Sequence, residues 1–438
     1  MDKVILVTGA TGYIASRLIP RLLESGYQVR CLVRNPLRLT GRSWFRHVDI
    51  FQGDATLPST LAPALDGVHT AYYLIHNMSS GRGYLARELT CAHNFAVAAE
   101  EAGIEQIIYL GGLADPEQRL APHMRSRIET GEMLRYGKVP VTEFRAGVIM
   151  GSGSISFEML RFMTELFPIV PGPLWMKNKS QPIAIQNVID YLLSALTNPP
   201  ARGGIFEIGG PEVTTYADMI LCYARVRGLK RRMFLLPGVP VWLMAFGVGL
   251  MTPVPRSIAQ ALIGGLTNDS IVRHNQALRV FKDIRLISMD EATAYALQRT
   301  QPALVERIWE DGRPAPKALK HEGFFINYRR MDLNIASENA FHVLRRVINK
   351  PRWRVEINEQ NQRIVVRERG LRTGDQWIEW KADQYGELIC ISQTVFFSPR
   401  GLPGFLYWLI LYPFHIVYMK KLEKSIRAGT TEPSTDDG

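Results

Sequence analysis

The sequence predicts an α/β chain, a doubly wound parallel sheet with a helical substrate region, followed by a smaller α+β domain. Three observations carry that prediction. Val4-Ile5-Leu6-Val7 is an unbroken apolar run that leads straight into Thr8-Gly9-Ala10-Thr11-Gly12-Tyr13-Ile14-Ala15 and then a helical pattern. Apolar runs then alternate with helical periodicity as far as Gly147. Beyond about residue 324 the pattern changes to alternating strands closed by an apolar helix.

The opening turn sets the chemistry. Strand, glycine turn and helix, with Leu18, Ile19, Leu22 and Leu23 on one helical face, is the context of a dinucleotide-binding Rossmann fingerprint. Gly9 permits a tight turn, Gly12 removes a side chain where main chain must approach a pyrophosphate, and Ala15 is small enough for helix–strand contact. The helix start then offers unbonded amides to phosphate. Ala10, Thr11, Tyr13 and Ile14 complete this candidate cofactor cradle.

The second strand, 28–33, ends in Arg34. No acid stands between Glu24 and Asp49, whereas Arg30, Arg34, Arg38, Arg42 and Arg46 do. An NAD-selective site places a carboxylate here for the ribose hydroxyls; an arginine suits a 2′-phosphate, so NADP(H) is preferred over NAD(H). The plain alternative for Arg34 is an exposed loop residue. A third strand, 48–51, leads to Gly53-Asp54-Ala55 beside the adenine, and a fourth, 71–76, carries Leu74, Ile75 and His76 under the ribose and pyrophosphate. A helix over 84–102, a fifth strand ending in Gly111-Gly112, a helix over 124–136 and a sixth strand ending in Ala146-Gly147 follow. Their strand-end residues converge at one sheet edge.

After residue 150 the spacing predicts helices over 157–166, 181–196, 216–226, 256–266 and 289–297, with a lid region of turns at 168–173 and a strand at 204–210. The uncharged run 233–255 is broken by Pro237, Pro240, Pro253 and three glycines; it suits a loop and short helix in a substrate wall. Residues 405–419 are too few and hold Pro413, so neither run is expected to span a membrane. The domain reading is 1–301, a linker at 302–323, a second domain at 324–428 and a disordered tail at 429–438. In the second domain, Ser337 caps a helix with Ala340, Phe341, Leu344, Val347 and Ile348 on one face. Trp353/Val355/Ile357 and Ile364/Val366 alternate as half-buried strands. Strands at 377–382 and 388–397 and a helix over 405–426, bent at Pro413, complete a helix-grip arrangement. It either encloses an apolar ligand or is filled by its own aromatic residues.

With 438 residues and 46% hydrophobic content, the chain holds two domains and is not disordered. Cys31, Cys91, Cys222 and Cys390 lack the spacing of a metal or redox site and suit a reducing compartment. The first strand begins at once, leaving no room for a signal peptide, so a cytoplasmic location is expected. The net charge of +11 suits nucleic acid or an anionic membrane. Without a zinc finger or RNA-binding signature, nucleic acid is set aside and peripheral contact with the inner membrane surface is retained.

On the Gly9–Ala15 turn, Gly53-Asp54-Ala55 and Arg145-Ala146-Gly147 followed by Gly151, the sequence resembles the atypical short-chain dehydrogenase/reductases with an NmrA-like, extended nucleotide-binding domain. It looks closest to a bacterial YbjT-like group whose helix-grip (START-like) tails carry segments similar to the stretch from Gln393 to Leu402 and to Tyr407-Trp408. The resemblance implies a Ser, Tyr and Lys for proton transfer. Here Gly111-Gly112 stands at the Ser position, and His123 and Arg127 at the Tyr and Lys positions. His123 is therefore the candidate general acid and Arg127 the candidate ribose-holding residue, with Tyr72, Tyr73 and His76 as weaker donors. Two functions stay open. One is an NADPH-dependent oxidoreductase acting on a small apolar carbonyl or conjugated alkene; the other is a non-catalytic NADP(H)-binding redox sensor or assembly scaffold with a protein partner. A narrower third has the tail carrying a lipid-like or quinone-like ligand.

Overall fold

In the computed structural model the described residues are 3–40, 42–76, 83–251, 256–299, 309–310, 313–314, 325–333, 337–349, 351–359, 362–368, 370–385 and 388–431. The expected linker, apart from 309–310 and 313–314, and residues 432–438 of the expected tail lie outside them. The chain divides into two compact units, with Met1–Thr164 and Pro168–Arg299 forming most of the first and Pro314–Gly438 most of the second.

The first unit is built on seven parallel strands: β1 (Val4–Thr8), β2 (Gln28–Val33), β3 (Asp49–Gln52), β4 (Thr70–Tyr73), β5 (Gln106–Gly112), β6 (Val141–Ala146) and, after the short strand β7 (Ile169–Pro173), β8 (Ile205–Ile208). Their order is β8-β6-β5-β4-β1-β2-β3, a doubly wound α/β fold whose direction of winding reverses beside β1. Both faces are buried, as the unbroken apolar runs require. Ile5, Val7 and Tyr72 join one core, whereas Leu6, Ala71 and Tyr73, one residue out of phase, join the other.

Helix α1 (Tyr13–Glu24) buries Leu18, Ile19 and Leu22 on the first face. Helices α2 (Tyr84–Glu101) and α3 (Pro122–Arg135) follow β4 and β5. Phe144, Tyr191, Phe206 and Phe281 form an aromatic knot, with ring centroids 5.2 to 5.8 Å apart. Tyr191 arrives on α5 (Ile185–Ser194), and the Tyr72 hydroxyl donates to the Leu192 carbonyl of that helix.

Several expectations shift. The helix expected over 181–196 starts only at Ile185, because Ile183–Ala184 pairs with Ile149–Met150. The expected turns at 168–173 are instead the strand β7, paired in parallel with β9 (Arg232–Leu236). Its Pro171 and Pro173 are tolerated because a two-stranded ribbon has free edges. Helix α4 (Ile155–Leu166) precedes β7, α6 (Tyr216–Arg227) lies between β7 and β9, and after β9 come α7 (Val241–Met251), α8 (Arg256–Gly265) and α9 (Met289–Gln298).

The second unit holds a five-stranded antiparallel sheet of β10 (Phe325–Leu333), β11 (Trp353–Glu359), β12 (Arg363–Glu368), β13 (Gly374–Tyr385) and β14 (Leu388–Pro399), in the order β10-β14-β13-β12-β11. Helix α10 spans Ser337–Ile348, and α11 spans Gly401–Thr431, starting before and ending after the expected 405–426 and running through Pro413. Val355 does not alternate as expected. It is 48% exposed, because β11 is an edge strand with an irregular register between Val355 and Ile357. Phe325, Phe397, Phe405 and Trp408 stack together, so aromatic side chains occupy this part of the sheet–helix space.

Emptying the knot tests the packing of the first unit. Phe144→Ala is expected to cost about 3–5 kcal/mol, read as a lower midpoint in urea at unchanged slope.

Candidate functional site

The site begins with a contact between main chains. Gly9 has φ +63°, and a Cβ there would lie 2.5 Å from the Leu74 carbonyl oxygen and 2.8 Å from its carbon. Only glycine meets both conditions. The Thr8 hydroxyl donates to the Tyr72 carbonyl and accepts from the Leu74 amide, at 3.1 and 3.0 Å, tying the end of β1 to the exit of β4. Gly12, the N-cap of α1, donates to the Gly9 carbonyl at 2.8 Å and places no side chain over the helix start. The first-turn amides, Ile14 and Ala15 among them, have no acceptor within the helix.

A cavity of about 440 Å³ opens from this turn. Its wall includes Gly9, Gly12, Tyr13, Ile14, Leu74, His76, Gly111, Gly112, His123, Arg127, Ala146 and Gly147, all of them expected site residues. The other expected residues lie off it. Ala10 and Ala55 are core residues, and Ile75 packs on the second core. Thr11 presents its carbonyl to the guanidinium of Arg42 at 3.3 Å. The Asp54 carboxylate accepts from the Thr56 amide and hydroxyl at 2.9 Å, shaping its own loop. Arg34 is exposed at the end of β2.

Beyond the turn the cavity becomes an apolar chamber. Six methionines line it, Met124, Met159, Met163, Met176, Met219 and Met244, with Trp175 and Tyr216. Flexible thioethers suit an irregular or variable apolar guest.

Against this wall sits one polar cluster. His76 Nδ1 lies 2.6 Å from Glu88 Oε1, and the Ser126 hydroxyl donates to the other oxygen of Glu88. With the carboxylate ionised, Nδ1–H donates to it and Nε2 remains an acceptor. Nε2 of His76 and Nδ1 of His123 are buried without a hydrogen-bond partner among the described residues. Arg127 Nη1 donates to the Leu110 carbonyl at 3.2 Å, and the Arg127 carbonyl accepts from the Tyr109 hydroxyl. Gly265 of α8 abuts His123 so closely that a Cβ there would lie 2.8 Å from Cε1.

Burial, reinforced by the Arg127 guanidinium, holds both imidazoles well below their ordinary value, at about 4, despite the opposing pull of Glu88. Both are therefore neutral at pH 7. Tyr72 and Tyr73, the weaker candidate donors, are buried in the sheet cores and pushed far up by burial.

Glu88 and Ser126 were not legible as site residues. The available signal was a carboxylate on the same helical stripe as Cys91, Ala92 and Phe95, all buried. Among the described residues no cluster of His, Cys, Asp or Glu could hold a metal ion.

The neutral histidines make stability acid-sensitive. Each binds fewer protons folded than unfolded between about pH 4 and 6.5, so stability rises with pH through that window and falls on acidification. Each is expected to contribute up to about 1.4 kcal/mol per pH unit. Melting temperature measured against pH is expected to fall less steeply below pH 6.5 for His123→Gln than for the parent chain.

A family model described as the NmrA-like family matches residues 1–237. The photosystem II assembly factor Ycf39 of Cyanophora paradoxa is 28% identical over 245 residues, 53% of this chain and 71% of that protein. The (4-alkanoyl-5-oxo-2,5-dihydrofuran-3-yl)methyl phosphate reductase of Streptomyces griseus is 27% identical over 264 residues, 59% of this chain and 85% of its own. Among solved structures, Citrobacter sp. triphenylmethane reductase complexed with NADP(H) is similar with a TM-score of 0.55 at 19% identity. The NADPH-dependent quinone oxidoreductase QOR2 of Escherichia coli, complexed with NADPH, scores 0.55 at 18%. Each likeness covers 67% of this chain and 99% of the other, and shows the shared fold. The match over more than half of its length, on a seven-stranded parallel sheet with the glycine turn at its centre, makes this chain a member of the NmrA-like family.

Proposed function

We propose that the chain binds a nicotinamide dinucleotide, NADP(H) in preference to NAD(H), and is an oxidoreductase acting on a small apolar carbonyl or conjugated alkene. The carrying observation is the continuity of one cavity from the Gly9–Gly12 turn, past His76, His123 and Arg127, into a methionine-lined chamber. The pyrophosphate fits at the turn, where Gly9 admits no Cβ and the helix start offers amides. The reductase similar in sequence agrees with a reductive reaction, and the two reductases similar in fold are named with NADP(H) and NADPH. The NADP(H) preference rests on Arg34, Arg38 and Arg42 in an acid-free stretch after β2.

A bound reduced nicotinamide would supply the hydride. The protein's part is position and a proton. Gly111 and Gly112 leave the chamber floor without side chains, and Arg127, anchored on the Leu110 carbonyl, places positive charge where an acceptor oxygen becomes negative. His76, neutral at pH 7 with its Nδ1–H on Glu88, relays the proton: as the acceptor oxygen becomes negative, Nε2 takes a proton from solvent and passes it on. On delivery to the oxygen the neutral Nδ1–H···carboxylate arrangement is restored. His123 is the second candidate donor.

The second reading, a cofactor-binding sensor or assembly scaffold, is favoured by the glycine pair at the expected serine position and by the assembly factor among the sequence relatives. Calorimetric titration with NADPH and NADH, followed by an acceptor screen, separates the two. The expected result is tighter NADPH than NADH binding and NADPH oxidation with an apolar acceptor. Gly12→Asp is expected to abolish binding by setting a carboxylate against the phosphates, and Arg34→Glu to erase the preference. His76→Gln is expected to keep NADPH affinity and lower turnover about 10²–10⁴-fold. Tight binding with no turnover for any acceptor would favour the sensor or scaffold, and flat traces with both nucleotides would remove both readings.

A further inference from the structure

A different face of the first unit presents the opposite of a soluble surface. In the parallel ribbon of β7 and β9, Ile169 pairs with Arg232 and Phe234 with Pro171. Alternate residues along both strands are exposed, with Ile169 at 60% and Phe234 at 56%. The chain then turns into α7, whose Ala245 and Val248 face inward while Trp242 stands 62% exposed and Leu243 and Phe246 about as exposed as each other, at 45% and 44%. The ribbon and helix so expose a run of large apolar side chains, where soluble surfaces scatter them singly.

Along the chain the charge flanking this run is basic; across space the Arg225 guanidinium is paired with Asp290 of α9, while Lys230 and Arg232 are exposed. Between Asp218 and Asp269 the chain has no acidic residue and six cations, among them Lys230, Arg231 and Arg232 at the start of the ribbon. Lys177, just after β7, is exposed as well. The acids of the neighbouring helix α4, Glu158 and Glu165, are buried. No described helix is long and apolar enough to cross a membrane. A tryptophan and phenylalanines with a basic flank, on elements that cannot span, match the chemistry of a surface lying at the headgroup level of an anionic bilayer.

We infer that the exposed face of the β7–β9 ribbon and α7 docks this protein on an anionic lipid surface. The basic residues meet lipid phosphates, and Phe234, Trp242 and Phe246 enter the outer acyl region. The same elements wall the chamber from inside: Met176 follows β7, and Met244 lies on α7. Docking would therefore set the chamber wall against the bilayer, a reservoir for apolar molecules. The docking itself does not depend on the reductase reading.

Flotation of the full chain with vesicles tests it. Phosphatidylcholine vesicles containing phosphatidylglycerol are expected to carry the protein, pure phosphatidylcholine vesicles to carry far less, and added salt to weaken the binding. Trp242→Glu with Phe246→Glu, or Lys230→Glu with Arg232→Glu, is expected to lower vesicle affinity about ten-fold or more. These side chains are exposed, so melting temperature and NADPH affinity should stay at parent values. Three results would overturn the inference. One is no flotation with the anionic vesicles. Another is flotation unchanged by these substitutions but lost with Ile410→Glu and Phe414→Glu on α11. The third is lipid-free self-association that the Trp242 and Phe246 substitutions abolish, which would give the face to a second copy of the chain.

Discussion

Main chain rests on main chain where the turn after β1 meets the segment leaving β4, and the rest of the site depends on that contact. The Leu74 carbonyl occupies the space that a side chain at residue 9 would need. The Thr8 hydroxyl, bonded to both Tyr72 and Leu74, holds the approach in register. The consequence extends two residues on. With Leu74 held, His76 emerges at a set place on the cavity wall, and Glu88 of α2 meets its ring at 2.6 Å. The geometry that opens room for a pyrophosphate is thus the geometry that aims an imidazole.

Low polarity then decides how that imidazole behaves. His76 and His123 share a wall with Arg127 and face a chamber of thioether and aromatic side chains. In such surroundings a second positive charge is costly, so both rings stay neutral at pH 7 and one nitrogen of each has no partner among the described residues. Glu88 counters this by favouring a proton on His76. A buried carboxylate–imidazole pair beside a cation is an arrangement that core packing alone does not call for, because its polar groups are costly unless satisfied or used. Membership of the NmrA-like family accounts for the sheet and the glycine turn. The proton-bearing cluster is argued from this chain's own residues.

Much of the framework was legible because it follows from local periodicity. Runs such as Val4–Val7 and 107–110 are apolar without alternation, which only a strand covered on both faces needs, and the helices between them carry one apolar stripe each. Prolines misled where tertiary context overrode them: 168–173 reads as turns, but a ribbon with free edges accepts Pro171 and Pro173. Val355 looked half-buried by alternation, yet an irregular edge strand left it exposed. Within the site, the glycines could be picked out by their place after strands, and His123 only by the position that the family resemblance gave it. Glu88 was not picked out, because an acid in a helix is ordinarily solvated, and only its place on the stripe of Cys91, Ala92 and Phe95 hinted that its face is covered.

The sequence by itself determined the parallel sheet, the glycine turn at its centre and the chemical types available at the sheet's carboxyl edge. These depend on residue spacing within about twenty positions, and local backbone preference together with burial pattern suffices to read them. Only the tertiary structure decided which of those residues share a cavity. His76, Glu88, Ser126 and Arg127 come from a strand exit and two helices, and Met176 and Met244 from still later elements. Their meeting depends on how whole elements pack, and the energy of that packing resides in contacts between residues distant in the chain.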